Sequence, residues 1–564
     1  MGRALKRRAV GSRLAGAALA AFALLLALPV PAPAQGAPGS VPQGRRGASA
    51  TAALPSGAAK PTTARLSKPA AIRIARSDPK VAEQRRRYGP LDPSAQAKPG
   101  TWQVDFYASG VDRVQVLVDD ASGQIRESWT GYQVVWQMAR GYPGQFGHKL
   151  NAPYVWLPLA AIFVLGLFDF RRPWRIVHLD LLVLLSFGVS EIFFNAADIG
   201  TSVPLAYPPL LYLVARMAWI GFRGSGEGLS PSAPVAWLAV GGAFLLGFRI
   251  ALNIADSGVI DVGYAGVIGA DHLTHGDAIW DSFPSDNPFG DTYGPFNYLA
   301  YVPFELVLPW SGHWDDLPAA HAAAIFFDLA TVAGLFFLGR RLRPGVRGTS
   351  LGVTLGFAWA AYPFTDYALQ SNSNDTLIAA LVVWALVVFA SPARRGALLA
   401  LATAAKFAPL SLAPLFASGK VGLLKRIEDS ELSLSRMRPV GLFLGAFLGA
   451  VALMLALPAV DPGLATFYDR TIGSQIDRDS PFSVWGQDPS LEWLQTGVKA
   501  FAVALALIVA FVPRRRSLGQ IAALAAAVLI AVQLTAEHWF YLYIPWFFGL
   551  TMAALGAPRA ARDQ

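Results

Sequence analysis

Acidic, aromatic and glycine residues are concentrated between Asp256 and Tyr301, directly after the apolar run 235–254. A carboxylate at the end of an apolar helix, in a partly dry cavity, can act as a general base because its surroundings tune its pKa. Asp261 is the first candidate for such a base, and Asp256 is the second. The alternative is that either residue caps a helix or lies in a solvated loop, where Asp is common.

Lys406 and Asp375 are further candidates, on separate apolar runs. Lys406 lies inside the run 397–417, where a charged group is costly and usually functional, and an ammonium there could hold a phosphate. Asp375 could orient a substrate hydroxyl or help to hold a metal, with Asn374 beside it as a binding residue. The alternative is that Asn374 and Asp375 only cap the apolar run 375–391.

Two arginines, Arg470 and Arg478, are candidates for binding phosphate, because a guanidinium group recognises two oxygens at once. Both lie in a polar loop with Asp469, Asp477 and Asp479, so local ion pairing is the competing interpretation. This loop is predicted to lie outside the membrane, on the side that carries the candidate base.

His538 lies beside Trp539 and Tyr541, where a lone His belongs more often to an aromatic belt than to a catalytic group, and it is kept as a substrate-binding candidate. No set of His, Asp and Glu residues has the spacing of a metal site, and no glycine-rich nucleotide loop occurs. The chain has no cysteine, which excludes disulfides, thiolate metal sites and cysteine nucleophiles. The sequence therefore predicts neither a bound metal nor a cofactor.

Membrane helices are predicted to position these residues. The chain of 564 residues is 54% hydrophobic and 15% charged, whereas soluble domains are about 25% charged. The formal net charge of +10 reflects an excess of Lys and Arg in residues 1–87. No basic face interleaved with aromatic residues recurs in the rest of the chain, so a nucleic-acid partner is not expected.

Apolar runs long enough to form membrane helices recur from residue 154 onward. The candidate spans are 154–169, 175–194, 203–221, 234–254, 318–338, 350–365, 375–391, 439–459, 496–512, 517–535 and 539–555.

The positive-inside rule orients these spans. It places the arginine clusters in the cytoplasm, at 171–175, 340–347, 394–395 and 514–516. The polar loop 256–295 is then outside. These constraints agree only if the run 295–310 lies in the outer interface without crossing, and if the run 397–417 turns back as a broken hairpin.

Ahead of the membrane core the sequence divides into three segments. Residues 1–34 have the basic start, apolar core and small-residue cleavage pattern of a signal peptide, with an uncleaved anchor as the alternative. Residues 35–98 are rich in Ala, Pro, Gly, Ser and Arg and predict a disordered linker. Residues 99–150 contain short alternating runs and predict a small exported α+β module.

The exported module is predicted to contain three strands, at 101–107, 114–119 and 125–130. A small antiparallel sheet of this type resembles the PepSY-like domains, and a plain packing module is the alternative. The chain is then predicted to continue as accessory transmembrane helices in 151–230, a catalytic core in 231–556 and a cytoplasmic tail in 557–564.

Five sets of residues in the core occur in a characteristic order. They are Asp261 with Tyr264, Gly276 to Trp280, Tyr293 with Pro295 and Tyr298, Asn374 with Asp375, and Lys406 with Pro409. In this order, residues 235–556 resemble the GT-C superfamily of polytopic glycosyltransferases, and most of all the actinobacterial alpha-mannosyltransferases that use polyprenyl-phosphate mannose. Two features depart from the family pattern. The outer loop lacks adjacent acids, and the runs at 154–221 and the exported module lie outside the common core.

The resemblance implies an all-α polytopic membrane protein of about 11–13 transmembrane helices, with the small α+β module ahead of it. It also implies an inverting hexosyltransferase of the cell membrane that moves a hexose, with mannose as the first candidate, from a polyprenyl-phosphate donor to an exported lipid or glycan acceptor. The active site and the module would both face the extracytoplasmic side. The catalytic candidates are then Asp261, Asp256 and Asp375. The substrate-binding candidates are Lys406, Tyr264, Tyr293, Asn374, Arg470, Arg478 and His538.

Two other classes of function are compatible with this composition. A transporter or lipid flippase would place ionisable residues near the middle of the membrane within paired repeats, whereas the charges here cluster at one face. A catalytically inactive sensor or envelope-assembly protein would use the exported module to bind a partner.

Overall fold

The computed structural model of this chain describes residues 65–98, 100–141, 147–224, 228–428, 434–474 and 480–557. The predicted signal peptide, the first part of the predicted linker, the C-terminal tail after Ala557 and Arg478 lie outside the described residues. Helices make up most of the described chain, and a small antiparallel sheet precedes them.

The sheet near the N-terminus has four antiparallel strands in sequential order. They are β1 (Asp92–Lys98), β2 (Thr101–Ala108), β3 (Val111–Asp119) and β4 (Ile125–Thr130). The three predicted strands are therefore confirmed as β2, β3 and β4. Alternate residues of β2 and β3 are buried because every second side chain of a strand points to the same face: Trp102, Val104, Phe106, Val114, Val116 and Val118.

The predicted disordered linker is wrong for residues 68–98. The helices Lys68–Ala75 and Pro79–Tyr88 form there, followed by β1. Each helix begins with a proline in its first turn and a capping side chain, Ser67 or Asp78. The few apolar residues of this segment cannot form a core alone, but the sheet supplies the partner surface on which they are buried. The α+β module thus begins before residue 99.

Six helices among the described residues are long and apolar enough to cross a membrane. They are Ile176–Asn195, Ile199–Arg223, Val235–Asp256, Pro318–Leu342, Met437–Val460 and Pro489–Phe511. Five shorter apolar helical segments accompany them: Pro153–Leu167, Asp375–Val387, Ala408–Ser418, Leu518–Leu534 and Tyr541–Gly556. Each predicted span coincides with a helix of the described chain, counting Gly345–Ala361 for the span 350–365, and six of these helices are clearly long and apolar enough to cross.

Other short helices connect these elements. They are Tyr132–Val135, Asp261–His275, Pro295–Leu299, Val302–Glu305, Pro363–Gln370, Pro392–Ala405, Leu423–Glu428, Leu464–Tyr468 and Val484–Gln487. The run 295–310 contains only two helices of five and four residues, so neither could cross a membrane, in agreement with the predicted non-crossing segment.

The run 397–417 turns back on itself, as predicted. The helix Pro392–Ala405 ends before Lys406, a 3-10 turn follows, and the chain returns as the helix Ala413–Ser418. Arg395 Nε donates to the carbonyl oxygen of Phe416 at 2.8 Å, which holds the two ends of this hairpin side by side. Lys406 therefore lies at the tip of the hairpin.

The connecting segments gather at two opposite ends of the helices. At one end, the Trp314 indole N–H donates to the carbonyl of Val259, where Val235–Asp256 has ended and Pro318–Leu342 is about to begin. At the other end, Arg343 Nη2 donates to the carbonyl of Gly556. We call these the Lys406 end and the arginine end. Arg175 donates to the carbonyl of Gly228, which lies beside Arg343, and Gly519, three residues after Arg516, packs on Ala557. Arg516 donates to Ser418 Oγ, and the adjacent Gly419 packs on Arg395. One member of each arginine cluster that the positive-inside rule groups together therefore lies at the arginine end.

Candidate functional site

Lys406 occupies the break between the two arms of the hairpin. Its backbone is extended, with φ −141° and ψ 141°, directly after the last residue of the helix Pro392–Ala405. Pro409 follows and has no N–H with which to continue the helical ladder. The side chain of Lys406 is thereby directed toward the neighbouring helices.

Asp375 forms an ion pair with the Lys406 ammonium. Lys406 Nζ lies 2.5 Å from Asp375 Oδ1, and the Trp546 indole N–H donates to the same oxygen at 2.9 Å. Asp375 is 1% exposed and the Lys406 side chain 11%, so the pair is largely shielded from water. The carboxylate lies in the first turn of Asp375–Val387, where the helix dipole favours negative charge. Asn374 occupies the cap position without a side-chain capping bond, so the capping interpretation does not explain these two residues.

Three aromatic rings surround the Lys406 ammonium. The centroids of Tyr293, Tyr543 and Trp546 lie 5.9, 5.5 and 5.2 Å from Nζ, within the range of cation–π attraction. The rings of Tyr543 and Trp546 stack on each other at 4.6 Å. The cation is thus held by one carboxylate and three ring faces.

Polar side chains continue from Asp375 toward the outer loop. Asn374 Nδ2 donates to Asn297 Oδ1 at 2.6 Å. Four buried atoms of this cluster have no hydrogen-bond partner among the described residues: Asn297 Nδ2, Asn374 Oδ1, Asp375 Oδ2 and Thr376 Oγ1. Such groups are rare in folded proteins, and they concentrate where polar ligands or bridging waters bind.

Arg470 positions the loop that carries Tyr293. Its Nε and Nη2 donate to the two carboxylate oxygens of Asp291 at 2.6 and 2.7 Å, and Asp291 is fully buried. Gly294 then packs directly on the carbonyl of Ala404, and a Cβ at this position would overlap that oxygen. This close approach brings Tyr293 beside Lys406. Among the described residues, Arg470 thus pairs with Asp291 and, more loosely at 3.9 Å, with Asp281, and both acids lie in the loop 256–295.

Asp261 and Asp256 do not join the Lys406 ion pair. Asp261 is exposed at the start of Asp261–His275, and its backbone carbonyl accepts from Asn287 Nδ2 at 2.9 Å. Asp256 Oδ2 lies 3.6 Å from Lys149 Nζ. Both acids nevertheless lie at the Lys406 end, since Gly263 packs on the backbone carbonyl of the turn that leads to Asn374.

Two other predicted binding residues have separate surroundings. The Tyr264 hydroxyl donates to Asp286 Oδ2 at 3.4 Å, and its ring packs against Trp314 at 4.8 Å. His538 Nδ1 lies 2.9 Å from Ser480 Oγ, and its ring lies among those of Trp136 and Phe482. The aromatic setting predicted as the alternative for His538 is therefore present.

Sequence reasoning missed Tyr543, Trp546 and Asn297. Tyr543 and Trp546 are three residues apart at the start of an apolar helix, a spacing that places two rings on one face, but an aromatic belt has the same pattern. Asn297 lies inside an aromatic segment and gave no separate signal.

A buried charge cluster inside the helices was also missed. Arg249 Nη2 lies 2.8 Å from Asp328 Oδ1, and Arg249 Nε lies 3.5 Å from Asp366 Oδ1. The Trp359 indole N–H donates to Asp328 Oδ1 at 2.7 Å. The signal for this cluster was the presence of Arg249 and Asp328 inside long apolar runs, where charges are expensive.

The described residues contain no group of three or more His, Asp or Glu side chains that could hold a metal ion. Comparison with models of known protein families and with curated proteins gives no match for this chain. The geometry around Lys406 is therefore the main indication of what this protein does.

Proposed function

We propose that this chain is a membrane-embedded glycosyltransferase that moves a hexose, with mannose as the first candidate, from a polyprenyl-phosphate donor to an acceptor outside the cytoplasm. The observation that carries the proposal is the shielded ammonium of Lys406, held by Asp375 and three aromatic rings at the end of the helices where Asp261 also lies. The long apolar helices support a membrane location.

In the proposed reaction, Lys406, Asp375 and Asp261 have separate roles. Transfer from a lipid phosphate needs a group that neutralises the leaving phosphate and a base that takes the proton of the acceptor hydroxyl. Lys406 has three N–H donors, of which Asp375 and the rings use only part, so it can also meet a phosphate oxygen. Asp375 acts as a positioning residue for that ammonium. Asp261 is the proposed base because it is exposed to an incoming acceptor, and Asp256 is its competitor.

Transfer activity tests the proposal directly. The purified protein in lipid vesicles is given polyprenyl-phosphate mannose, labelled in the sugar, together with envelope glycolipids as acceptors. We expect labelled product, and we expect Lys406→Met to lower the rate by about 100-fold or more, as for the loss of one preorganised group that stabilises developing charge. The matched control is Lys499→Met, because Lys499 is half exposed and its Nζ lies 3.9 Å from Glu537.

Two outcomes would contradict parts of the proposal. Equal activity of wild type and Lys406→Met would remove the phosphate role of Lys406. Unchanged activity in both Asp261→Asn and Asp256→Asn would remove the assignment of the base.

The cluster of Arg249, Asp328 and Asp366 supports a second candidate, a transporter or lipid flippase. Three charges buried within the helices are typical of proteins that move ions or polar groups across a membrane. Movement of a solute or labelled lipid in the same vesicles, lost in Asp366→Asn and without any sugar product, would favour this function over transfer.

A further inference from the structure

Asn372 lies in the turn between the helices Pro363–Gln370 and Asp375–Val387, and its backbone is left-handed, with φ 50°. The residue is completely buried. A left-handed backbone is unfavourable for a residue with a side chain, although asparagine tolerates it better than most. Such strained residues persist where the surrounding structure holds them in place, and they are frequent at functional sites. The contacts of Asn372 show which parts of the protein it connects.

The side-chain amide of Asn372 joins this turn to the loop that follows the helix Val235–Asp256. Its Nδ2 donates to Ser257 Oγ at 3.0 Å and to the carbonyl of Gly258 at 3.0 Å. Its Oδ1 accepts from Asn253 Nδ2 at 2.9 Å. Because a carbonyl only accepts, the contact with Gly258 fixes which end of the amide carries the N–H groups. Asn372 therefore uses both its donor and its acceptor to bridge the two segments.

Asn253 is held in the same way, and it is also completely buried. Its Nδ2 donates to the carbonyl of Leu369 at 2.9 Å, in addition to the bond with Asn372. Its Oδ1 lies 2.9 Å from Nδ1 of His321, on the helix Pro318–Leu342. Every polar atom of the two amides thus has a hydrogen-bond partner. A buried network that is fully hydrogen-bonded is rigid, so the two amides fix three helices relative to one another.

Backbone contacts reinforce the same junction. The N–H of Ile260 donates to the carbonyl of Ser371 at 3.2 Å. Gly263, in the first turn of the next helix, packs on the carbonyl of Asn372, and a Cβ at this position would lie 2.3 Å from that oxygen. The loop and the turn are therefore in direct contact, with no room for a side chain between them.

The two segments carry the two halves of the proposed reaction site. Asp256 and Asp261, the candidate bases, lie directly before and shortly after the residues that Asn372 binds. Three residues after Asn372, Asp375 pairs with Lys406 at 2.5 Å. A base acts only within hydrogen-bond reach of the proton that it removes, and a misplacement of about 1 Å can lower a rate about 100-fold. The distance between the base and the ammonium is therefore important for transfer, and it depends on this junction.

We propose that Asn372 is a positioning residue that sets the distance between the loop of the candidate bases and the Lys406 ammonium. For its chemistry this inference rests on the proposed glycosyl transfer, whereas the distance itself can be measured without turnover. The side chain must supply N–H groups to one neighbour and an oxygen to another, from a left-handed backbone. Asparagine meets all three requirements. Glycine would keep the backbone but lose both kinds of hydrogen bond.

A distance measurement between two spin labels tests the junction. Because the chain lacks cysteine, labels can be attached at Thr274→Cys, on the helix that begins with Asp261, and at Phe407→Cys, beside Lys406. Both positions are exposed. In lipid nanodiscs we expect one narrow distribution of distances when Asn372 is present, and a broader or shifted distribution in Asn372→Gly. An unchanged distribution in Asn372→Gly would overturn the proposal.

Gln520→Ala is the matched control. Gln520 is also a buried side-chain amide that donates to a carbonyl of another helix, that of Gly221, but it lies at the arginine end. Its replacement should lower the unfolding temperature and leave the distance between the two labels unchanged. A similar change of the distance in Gln520→Ala would show that any loss of stability moves the labels, and the specific role of Asn372 would be refuted.

Rates of sugar transfer then test the consequence of the distance. At a temperature where both variants are fully folded, Asn372→Gly should lower kcat by about 100-fold, and Gln520→Ala should not. An equal loss of kcat in the two variants would reduce Asn372 to a structural role. If the wild type transfers no sugar but its narrow distance requires Asn372, the proposed reaction fails and the junction stands. If the wild type transfers sugar at a rate that is independent of Asn372, the positioning role fails instead.

Discussion

Replacement of Lys406 by methionine is the most direct test of the buried ion pair. Lys406→Met removes the ammonium but keeps an unbranched side chain of similar size. Asp375 is 1% exposed, so its carboxylate would stay buried with the Trp546 indole N–H as its remaining side-chain donor among the described residues. An unpaired buried charge is strongly unfavourable, so the folded state should lose stability.

The magnitude follows from the burial of the two partners. Breaking a buried pair by removing one partner costs about 3–5 kcal/mol, and we expect this for Lys406→Met. Asp375→Asn should cost less, about 1–3 kcal/mol, because the ammonium keeps its three aromatic rings and the asparagine oxygen can still accept a hydrogen bond. The double variant should lose less stability than the sum of the two single losses, by about 0.5–3 kcal/mol.

The free energy of unfolding can be measured in mixed micelles by a denaturing detergent titration, followed by tryptophan fluorescence. The control Lys499→Met should change it by less than about 0.5 kcal/mol, since exposed ion pairs contribute little. If Lys406→Met costs under about 1 kcal/mol, or if the two losses are additive, the pair is hydrated or separated, and the reasoning about the Lys406 site is refuted.

Three further predictions concern the loop, the module and the orientation. Gly294→Ala should destabilise the protein by about 1–3 kcal/mol and weaken activity, because the new methyl group overlaps the backbone carbonyl of Ala404. The control Gly441→Ala has open space around its Cβ, so thermal unfolding should show it to be neutral or slightly stabilising. Burial and the neighbouring Asp105 raise the pKa of Asp112 from 3.8 to about 7. As the pH rises, Asp112 therefore loses its proton at a lower pH in the unfolded module than in the folded one. The stability of the sheet should therefore fall by at most about 4 kcal/mol as the pH rises from about 4 to about 7. Hydrogen exchange of β2 and β3 should show this loss of stability in wild type but not in Asp112→Asn. Because the chain lacks cysteine, the single variants Thr274→Cys and Arg347→Cys can each be labelled with an impermeant maleimide. The two introduced cysteines should react from opposite sides of the membrane. Reaction of both from the same side would contradict the proposed orientation.

The sequence alone determined the helical positions and the main sheet strands. Long apolar runs have few options other than helices, so each predicted span coincides with a helix. Alternation identified β2 and β3, and the turn after β3 indicated β4. The break at Lys406 was also readable, since a lysine and two prolines interrupt an apolar run. The start of the module was misjudged because residues 68–98 fold only against a sheet formed by later residues.

Only the tertiary structure decided which polar groups meet. Asp375 begins one helix, Lys406 directly follows the end of another, and Trp546 comes from a third. Their contact therefore depends on helix packing and not on local sequence pattern. The same holds for Arg470, whose neighbours along the chain suggested local ion pairs, whereas the described structure pairs it with Asp291, 179 residues away. Charge and hydropathy patterns act over a few residues, whereas an ion pair between helices is selected by the burial that the whole fold provides.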